Sequence, residues 1–357
     1  MAAHVFTSCS FSYINRARVL ARTLKRFHPD WQIWLVMVDK VPPGLDFDLN
    51  NEDFDHFLDL DDLYGEDHAG WIFGLDIVEA CTAVKGRASQ VIMSEDDCSE
   101  LIYLDPDIAL FNNIHPVVKF LEEYSIILTP HQVDPEPRNS RLAIQDNEIA
   151  SLQYGVFNFG FFAVKNDLEG KRFIQWWDER LHDWCHDRLD VGLFVDQKWA
   201  NLVPCFFDGV KVLRDPGYNV ASWNVSGRKM KFDENGTALI NGNPLRFYHF
   251  TKLGPVGDGM TQRYARDNTE IYELWWWYRE EVKKMTSDAV PKGWWKYNCF
   301  EDGIKIPKII RELYRSRRDL QDAFSNPFLT GTGSFYEWLL AEGYSLGEIS
   351  GPGFQPV

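Results

Sequence analysis

The segment Leu101-Ile102-Tyr103-Leu104 is followed at once by Asp105-Pro106-Asp107, and the apolar run then resumes as Ile108-Ala109-Leu110-Phe111. A β-branched and aromatic run stopped by proline reads as a buried strand that carries both acids to its C-terminal edge. Residues i and i+2 of extended chain point to the same side, so the two carboxylates can close on one hard divalent cation through oxygen. The alternative is a solvated turn, since the chain holds 53 Asp and Glu. Apolar residues on both sides weigh against it, because a charge set between two buried strands needs a partner.

The rest of the N-terminal half alternates strands and helices. His4 to Ser8 reads as a strand, Tyr13 to Phe27 as a helix with Leu20 and Leu24 inward, and Ile33 to Val38 as a strand ending at Asp39. This predicts an open parallel α/β sheet of nucleotide-binding type, with ligand beyond the C-terminal strand ends, where Thr7, Tyr13 and Asp39 would face base and ribose. No Gly-x-Gly-x-x-Gly or Gly-x-x-x-x-Gly-Lys-Ser/Thr follows the first strand, which disfavours dinucleotide binding and P-loop hydrolysis. Asp46 to Asp67 reads as loop and short helix at the rim. Trp71 to Lys85 reads as a helix, and Lys85 and Arg87 either fold onto the acid pair or complement the helix dipole. Pro116 to Glu123 is expected to be a helix and Ser125 to Thr129 a strand.

Leu152 to Val164 suits a central strand, with its backbone against ligand at Gly155 and Gly160. Asn158 is an amide in an apolar run and must be hydrogen-bonded, to a loop or to sugar hydroxyls. Phe173 to Cys185 is an amphipathic helix. Asp196 and Gln197 open the next helix, as a cap or as polar groups held toward a pocket.

The formal charge is 37 minus 53, or −16, which disfavours a nucleic-acid duplex as partner but not a small anion met by a metal and one or two cations. There is no signal-like start and no run of 18 apolar residues, and the six cysteines lack zinc spacing. We therefore expect a cytoplasmic chain with reduced thiols, and Asn224-Val225-Ser226 and Asn235-Gly236-Thr237 to carry no glycan.

These pieces together resemble the retaining GT-A-fold glycosyltransferases typified by glycogenin and the bacterial lipopolysaccharide galactosyltransferases. Tyr103-Leu104-Asp105-Pro106-Asp107 resembles their metal motif and Phe157-Asn158-Phe159-Gly160 their Asn-x-Gly strand. Val195-Asp196-Gln197 resembles their Asp-Gln motif, and Tyr248-His249-Phe250-Thr251-Lys252 the late His-Phe segment. The similarity covers roughly residues 3 to 260. Two departures stand out: Lys252 lies three positions beyond His249 with Gly254 after it, and Lys198 replaces a second aspartate.

The resemblance implies a mixed sheet flanked by helices, a catalytic domain over 1–265 and a helical extension over 266–357. It implies Asp105, Asp107 and His249 as ligands of Mn2+, or Mg2+, and a nucleotide-diphosphate sugar as donor. The alternative for His249 is packing between Tyr248 and Phe250. Lys252, with Lys85, would meet phosphate; Gln197 would lie beneath the anomeric carbon; Asp196 and Asn158 would hold hydroxyls; and the configuration would be retained. Asp146 and Glu148 are either further hydroxyl contacts or loop charges. The acceptor is left open among a glycan, a lipid-linked glycan and a protein, and the oligomeric state is not indicated.

In the last third, Thr269 to Met285 with Trp275-Trp276-Trp277, Ile304 to Phe324, and Phe335 to Ala341 read as helices before a glycine-rich tail, Gly347 to Gly353. The tryptophans are packed core or a docking platform. Lys305, Lys308, Arg311, Arg315, Arg317 and Arg318 form either a solvated face or a peripheral contact with an anionic membrane at its inner side. Three rivals remain. A haloacid-dehalogenase phosphatase would place its acids on the opening strand, a sugar nucleotidyltransferase needs a glycine-rich basic loop after that strand, and a glycan-binding scaffold would not need both acids and His249.

Overall fold

The computed structural model describes residues 3–346, so the tail Gly347 to Gly353 lies outside the described residues. A central mixed sheet is built from β1 (His4–Cys9), β2 (Gln32–Met37), β3 (His56–Leu58), β4 (Glu100–Leu104), β6 (Ile126–Pro130) and β7 (Phe157–Lys165), with Val210–Val212 at one edge; β5 (Ile108–Leu110) leaves it. The order from that edge is 210–212, β6, β7, β4, β1, β2, β3. β1 is parallel to β2 and β4, whereas β7 is antiparallel to β4 and β6. Strands β1, β2 and β4 therefore end at the same edge. This is the expected mixed α/β sheet flanked by helices, with a helical C-terminal extension.

The period of two sorts the strands into two cores. Phe6, Leu101, Tyr103 and Phe162 face helices Ile77–Ile92 and Leu168–Trp184, while Val5, Ile102, Leu104 and Phe161 face helices Ile14–Phe27 and His115–Glu123. β7 breaks the alternation. Its register with β6 slips between Leu128 and Pro130, and Phe157, Phe159, Phe162 and Val164 all reach the same core. An irregularity of this kind re-aims side chains beside it.

Several expected boundaries move. The helix read from Trp71 to Lys85 is two: Ala69–Phe73, then Ile77–Ile92, restarted by a capping box in which Asp76 and Glu79 satisfy each other's backbone N–H groups. Lys85 thus sits inside a helix and not at its end. Residues 150–154 are helical before β7 starts at Phe157, and Ile304 to Phe324 divides into Lys308–Ser316 and Arg318–Ala323.

The extension is packed onto the sheet domain. Trp275 is buried and donates from Nε1 to Tyr248 Oη at 3.0 Å, Trp277 lies edge-on to Phe111, and only Trp276 of the three is largely exposed. Trp294 and Trp295 donate to the carbonyls of Lys40 and Val38. Two cations of the basic stretch are turned inward. Arg311 is buried and donates to the carbonyls of Phe73, Leu75 and Tyr297, Arg315 pairs with the buried Glu79, and Lys308 pairs with Asp76. Arg317 and Arg318 are paired with Asp319 and Asp322. Of the six cations, Arg311 and Arg315 are thus spent inside the fold, while Lys305, Lys308, Arg317 and Arg318 remain exposed, so the two readings of this face both stand with fewer charges to carry them. Among the described residues no helix is long and apolar enough to cross a membrane.

Candidate metal centre

Asp105 follows the end of β4, and its N–H extends the ladder by one bond to Gly160 O at 2.8 Å. The chain then turns through Pro106 and Asp107 into β5, which pairs antiparallel with strand Phe247–His249 so that His249 stands opposite Ile108. The Phe250 N–H closes the corner on Asp107 O at 2.8 Å. This small sheet carries His249 to the acid pair. Its Nε2 lies 3.0 Å from Asp107 Oδ1 and 3.6 Å from Asp105 Oδ2, and one donor atom from each of the three residues falls within 4.8 Å of the others.

His249 is buried, and its Nδ1 has no hydrogen-bond partner among the described residues. Burial opposes its protonation, but the Asp107 carboxylate, with help from Asp105, outweighs it and holds the imidazole pKa above the ordinary value. Gly160 makes the ring's position attainable: a Cβ there would sit 2.5 Å from His249 Cε1 and 2.8 Å from Asn158 Oδ1. What crowds this glycine is the protein's own histidine. At Gly155, with φ +124°, the crowding atoms belong to Gln197. The expectation of ligand against both glycines gives way to side chains of the chain itself.

Lys85 is the hub behind the acids. It is 2 % exposed, and its Nζ lies 2.8 Å from Asp196 Oδ2, 3.3 Å from Asp105 Oδ1 and 3.1 Å from Phe159 O, over the Tyr103 ring at 4.0 Å. Burial disfavours the ammonium, yet the two carboxylates outweigh it and the pKa stays above the usual lysine value. Asp196 makes no cap to the following turn, Gln197–Leu202; its carboxylate belongs to Lys85. Asp105 also accepts from Tyr103 Oη at 2.6 Å, and that hydroxyl lies 3.2 Å from Ser8 Oγ.

Next to this lies a web of amides. Gln197 donates to Tyr154 O at 3.1 Å and accepts from Asn158 Nδ2 and Phe159 N, both at 3.3 Å. Asn158 Oδ1 accepts from Gly160 N and from Asn219 Nδ2, and its own Nδ2 lies 3.3 Å from His131 Nε2. Burial pushes His131 down to about 4, so its ring is neutral at physiological pH. Asn219, in a left-handed conformation with φ +48°, and His131 were not found from the sequence. Asn219 follows Gly217-Tyr218 in what reads as ordinary turn chemistry, and nothing marks His131 among neighbouring loop residues.

The remaining expected residues separate from this cluster. Asp39 is buried and accepts from the backbone N–H groups of Phe11, Lys40 and Lys296 at 3.1, 2.9 and 2.7 Å. Burial raises its pKa to about 7 against the pull of those bonds. Thr7 shares the face of Val5 and Cys9, is buried, and leaves its hydroxyl without a partner among the described residues, whereas Ser8 reaches Tyr103. Tyr13 is partly exposed with the Arg16 guanidinium 4.0 Å above its ring. Lys252 is exposed at φ +55°. Asp146 is held by Arg263 and Tyr264, and Glu148 accepts from Glu136 N, so both serve the loop.

No family model matches the chain. It is 26% identical over 179 residues to the uncharacterized protein YfnF of Bacillus subtilis (strain 168), covering 49% of this chain and 57% of that one. It is 24% identical over 283 residues to the uncharacterized protein YfnD of the same organism, covering 78% and 83%. The chain thus spans little more than half the length of YfnF. Among solved structures it is similar to the galactosyltransferase LgtC crystallised with donor and acceptor sugar analogues, at 19% identity and a TM-score of 0.45, covering 82% of this chain and 98% of that one. It is also similar to the glycosyltransferase GlyE of Streptococcus pneumoniae TIGR4, at 15% identity and a TM-score of 0.44, covering 84% and 67%.

Proposed function

We propose that the chain is a metal-dependent glycosyltransferase of GT-A type, moving a sugar from a nucleotide-diphosphate donor to a hydroxyl acceptor with retention of configuration. The carrying observation is the convergence of Asp105, Asp107 and His249 within 4.8 Å at the edge where the parallel strands end. The donor set fits a divalent cation: two carboxylate oxygens and an imidazole nitrogen suit Mn2+, with Mg2+ as substitute. When bound, such a cation would neutralise charge on the departing diphosphate.

The chain's own groups do the rest. Lys85 and Tyr103 fix Asp105 from behind, so the carboxylate is held before any ligand arrives. His249 would offer Nε2 as the neutral ring, in competition with the Asp107 carboxylate that raises its pKa. Gln197 sits as a neutral amide, clamped by Tyr154, Asn158 and Phe159, where a charged nucleophile would otherwise be required. That favours attack by the acceptor hydroxyl from the leaving-group side, its proton passing to the leaving phosphate. On this reading Asp196 and Asn158 position the sugar side of the site, exposed Tyr13 would meet the nucleoside, and Lys252 would meet phosphate from the surface, while Thr7 and Asp39, both buried, serve there only through the backbone around them. The 266–357 region is assigned to the acceptor side. The reaction is placed in the cytoplasm, with a glycan, lipid-linked glycan or protein as acceptor.

Titrating a panel of nucleotide sugars by calorimetry with and without Mn2+ tests this. One donor should give a metal-dependent heat that Asp107→Ala abolishes. Metal-independent binding of a free glycan, with no response to any nucleotide, would overturn the catalytic reading in favour of a glycan-binding one.

A further inference from the structure

A cavity of about 700 Å³ opens between residues 136–143, residues 225–229 and the end of helix Pro255–Ala265. Its lining carries four cationic side chains, Arg141, Lys229, Arg263 and Arg266, against two acids, Glu136 and Asp267. In a chain of net charge −16 this is an inverted local balance. Arg263 is spent on Asp146, and Glu136 accepts from Ser226 and Asn147. The side chains of Arg141, Lys229 and Arg266 have no hydrogen bond or ion pair among the described residues.

Arg266 adds a second kind of observation. It sits at φ +48°, ψ −109°, a conformation natural to glycine, and its carbonyl is pinned there by Tyr272 Oη at 3.1 Å. This left-handed backbone is strained for a residue with a side chain, and it fixes the arginine at the cavity wall. Ser226 on its wall lies three residues beyond Trp223, whose ring is edge-on to His249 at a centroid distance of 5.2 Å.

We propose that this cavity binds a phosphate group carried by the acceptor; only the word acceptor rests on the transferase reading. Two guanidinium forks and an ammonium suit a tetrahedral dianion, which accepts several charge-assisted hydrogen bonds at once. The group comes from a soluble sugar phosphate or from a phospholipid headgroup, and the two are separable.

The test is calorimetric titration with glucose 1-phosphate, with glucose as control, in the presence of chelator so that the metal centre is silent. A parallel arm uses sedimentation with vesicles of phosphatidic acid in phosphatidylcholine. Phosphate-dependent binding should appear in one arm, weaken at least about tenfold in the double variant Arg141→Gln/Arg266→Gln, weaken steeply with salt, and persist in Asp107→Ala. Binding in the vesicle arm alone assigns a lipid source, and binding of the sugar phosphate alone a soluble one. If the double variant does not fold, the exposed Lys229→Gln should show the same loss to a smaller degree. Equal affinity in parent and variants, or no binding in either arm, overturns the proposal. Failure of the transferase reading would show separately, as absence of a metal-dependent donor heat with phosphate binding intact.

Discussion

Two carboxylates stand just past the ends of strands in the same sheet, Asp39 after β2 and Asp105 after β4, and they are wired in opposite ways. Asp39 is saturated by three main-chain N–H groups, one of them from Lys296 in the C-terminal extension. Asp105 is met by side chains, Lys85 and Tyr103, and faces Asp107 and His249 with an oxygen to spare. Equivalent placement on the fold therefore does not give equivalent chemistry. Amide donors lock a carboxylate into architecture, while a side-chain cation leaves it able to exchange partners.

The strongest way to break this contrast is Lys85→Met. It strands Asp196 as a buried unpaired charge and takes the cation from half-buried Asp105, which keeps Tyr103, so denaturant unfolding should show a loss of about 3–5 kcal/mol. Mn2+ should restore part of it through Asp105. No loss, or no response to the metal, would mean that Lys85 is not the counterion the geometry implies.

The Asp39 side should respond to protons instead. Its folded pKa of about 7 lies above the unfolded carboxylate value, so the folded state holds the proton more tightly between about pH 4 and 7. The stability it contributes is full below about pH 4 and is lost as pH rises through 7. Asp39→Asn carries no such term, so its unfolding free energy in denaturant should gain on that of the parent across this window. The gain should be about 2–4 kcal/mol in all, with no change on adding Mn2+. Parallel curves would place the ionised form of Asp39 in the native state.

The finest test concerns Gln197, which could belong to either class. If its amide serves the reacting centre, Gln197→Ala lowers turnover per folded molecule by about 10 to 100 fold, roughly 1.4 to 2.7 kcal/mol, with donor affinity kept. If it is only a clip between Tyr154 and Asn158, thermal stability falls and turnover per folded molecule does not.

What could be read from the sequence follows the same divide. The acid pair and the strands around it were legible because hydrophobic period and acid spacing are local signals, whereas the distant His249 was reached only through the resemblance to a family. Lys85 was visible as a cation of roughly the right separation, but its burial was not, since the helix restart at Asp76 that places it mid-helix depends on a capping box inside an apolar run. Asn219 and His131 escaped because their roles arise from the slipped register of β7 and a left-handed turn, neither of which has a sequence period. The inward turn of Arg311 and Arg315 escaped for a related reason: an amphipathic pattern says that a face is basic, not what covers it.

The pairing of β5 with strand Phe247–His249 has a consequence for how the molecule comes into being. The acids are synthesised early, but the imidazole that completes their set arrives only after most of the chain has left the ribosome, and the pairing that delivers it is non-local and hence slow to close. A nascent or truncated chain therefore has two of the three ligands. On the proposed metal reading, cation uptake would work as a completion signal, appearing only once the whole sheet domain has folded and rewarding that state over every partial one.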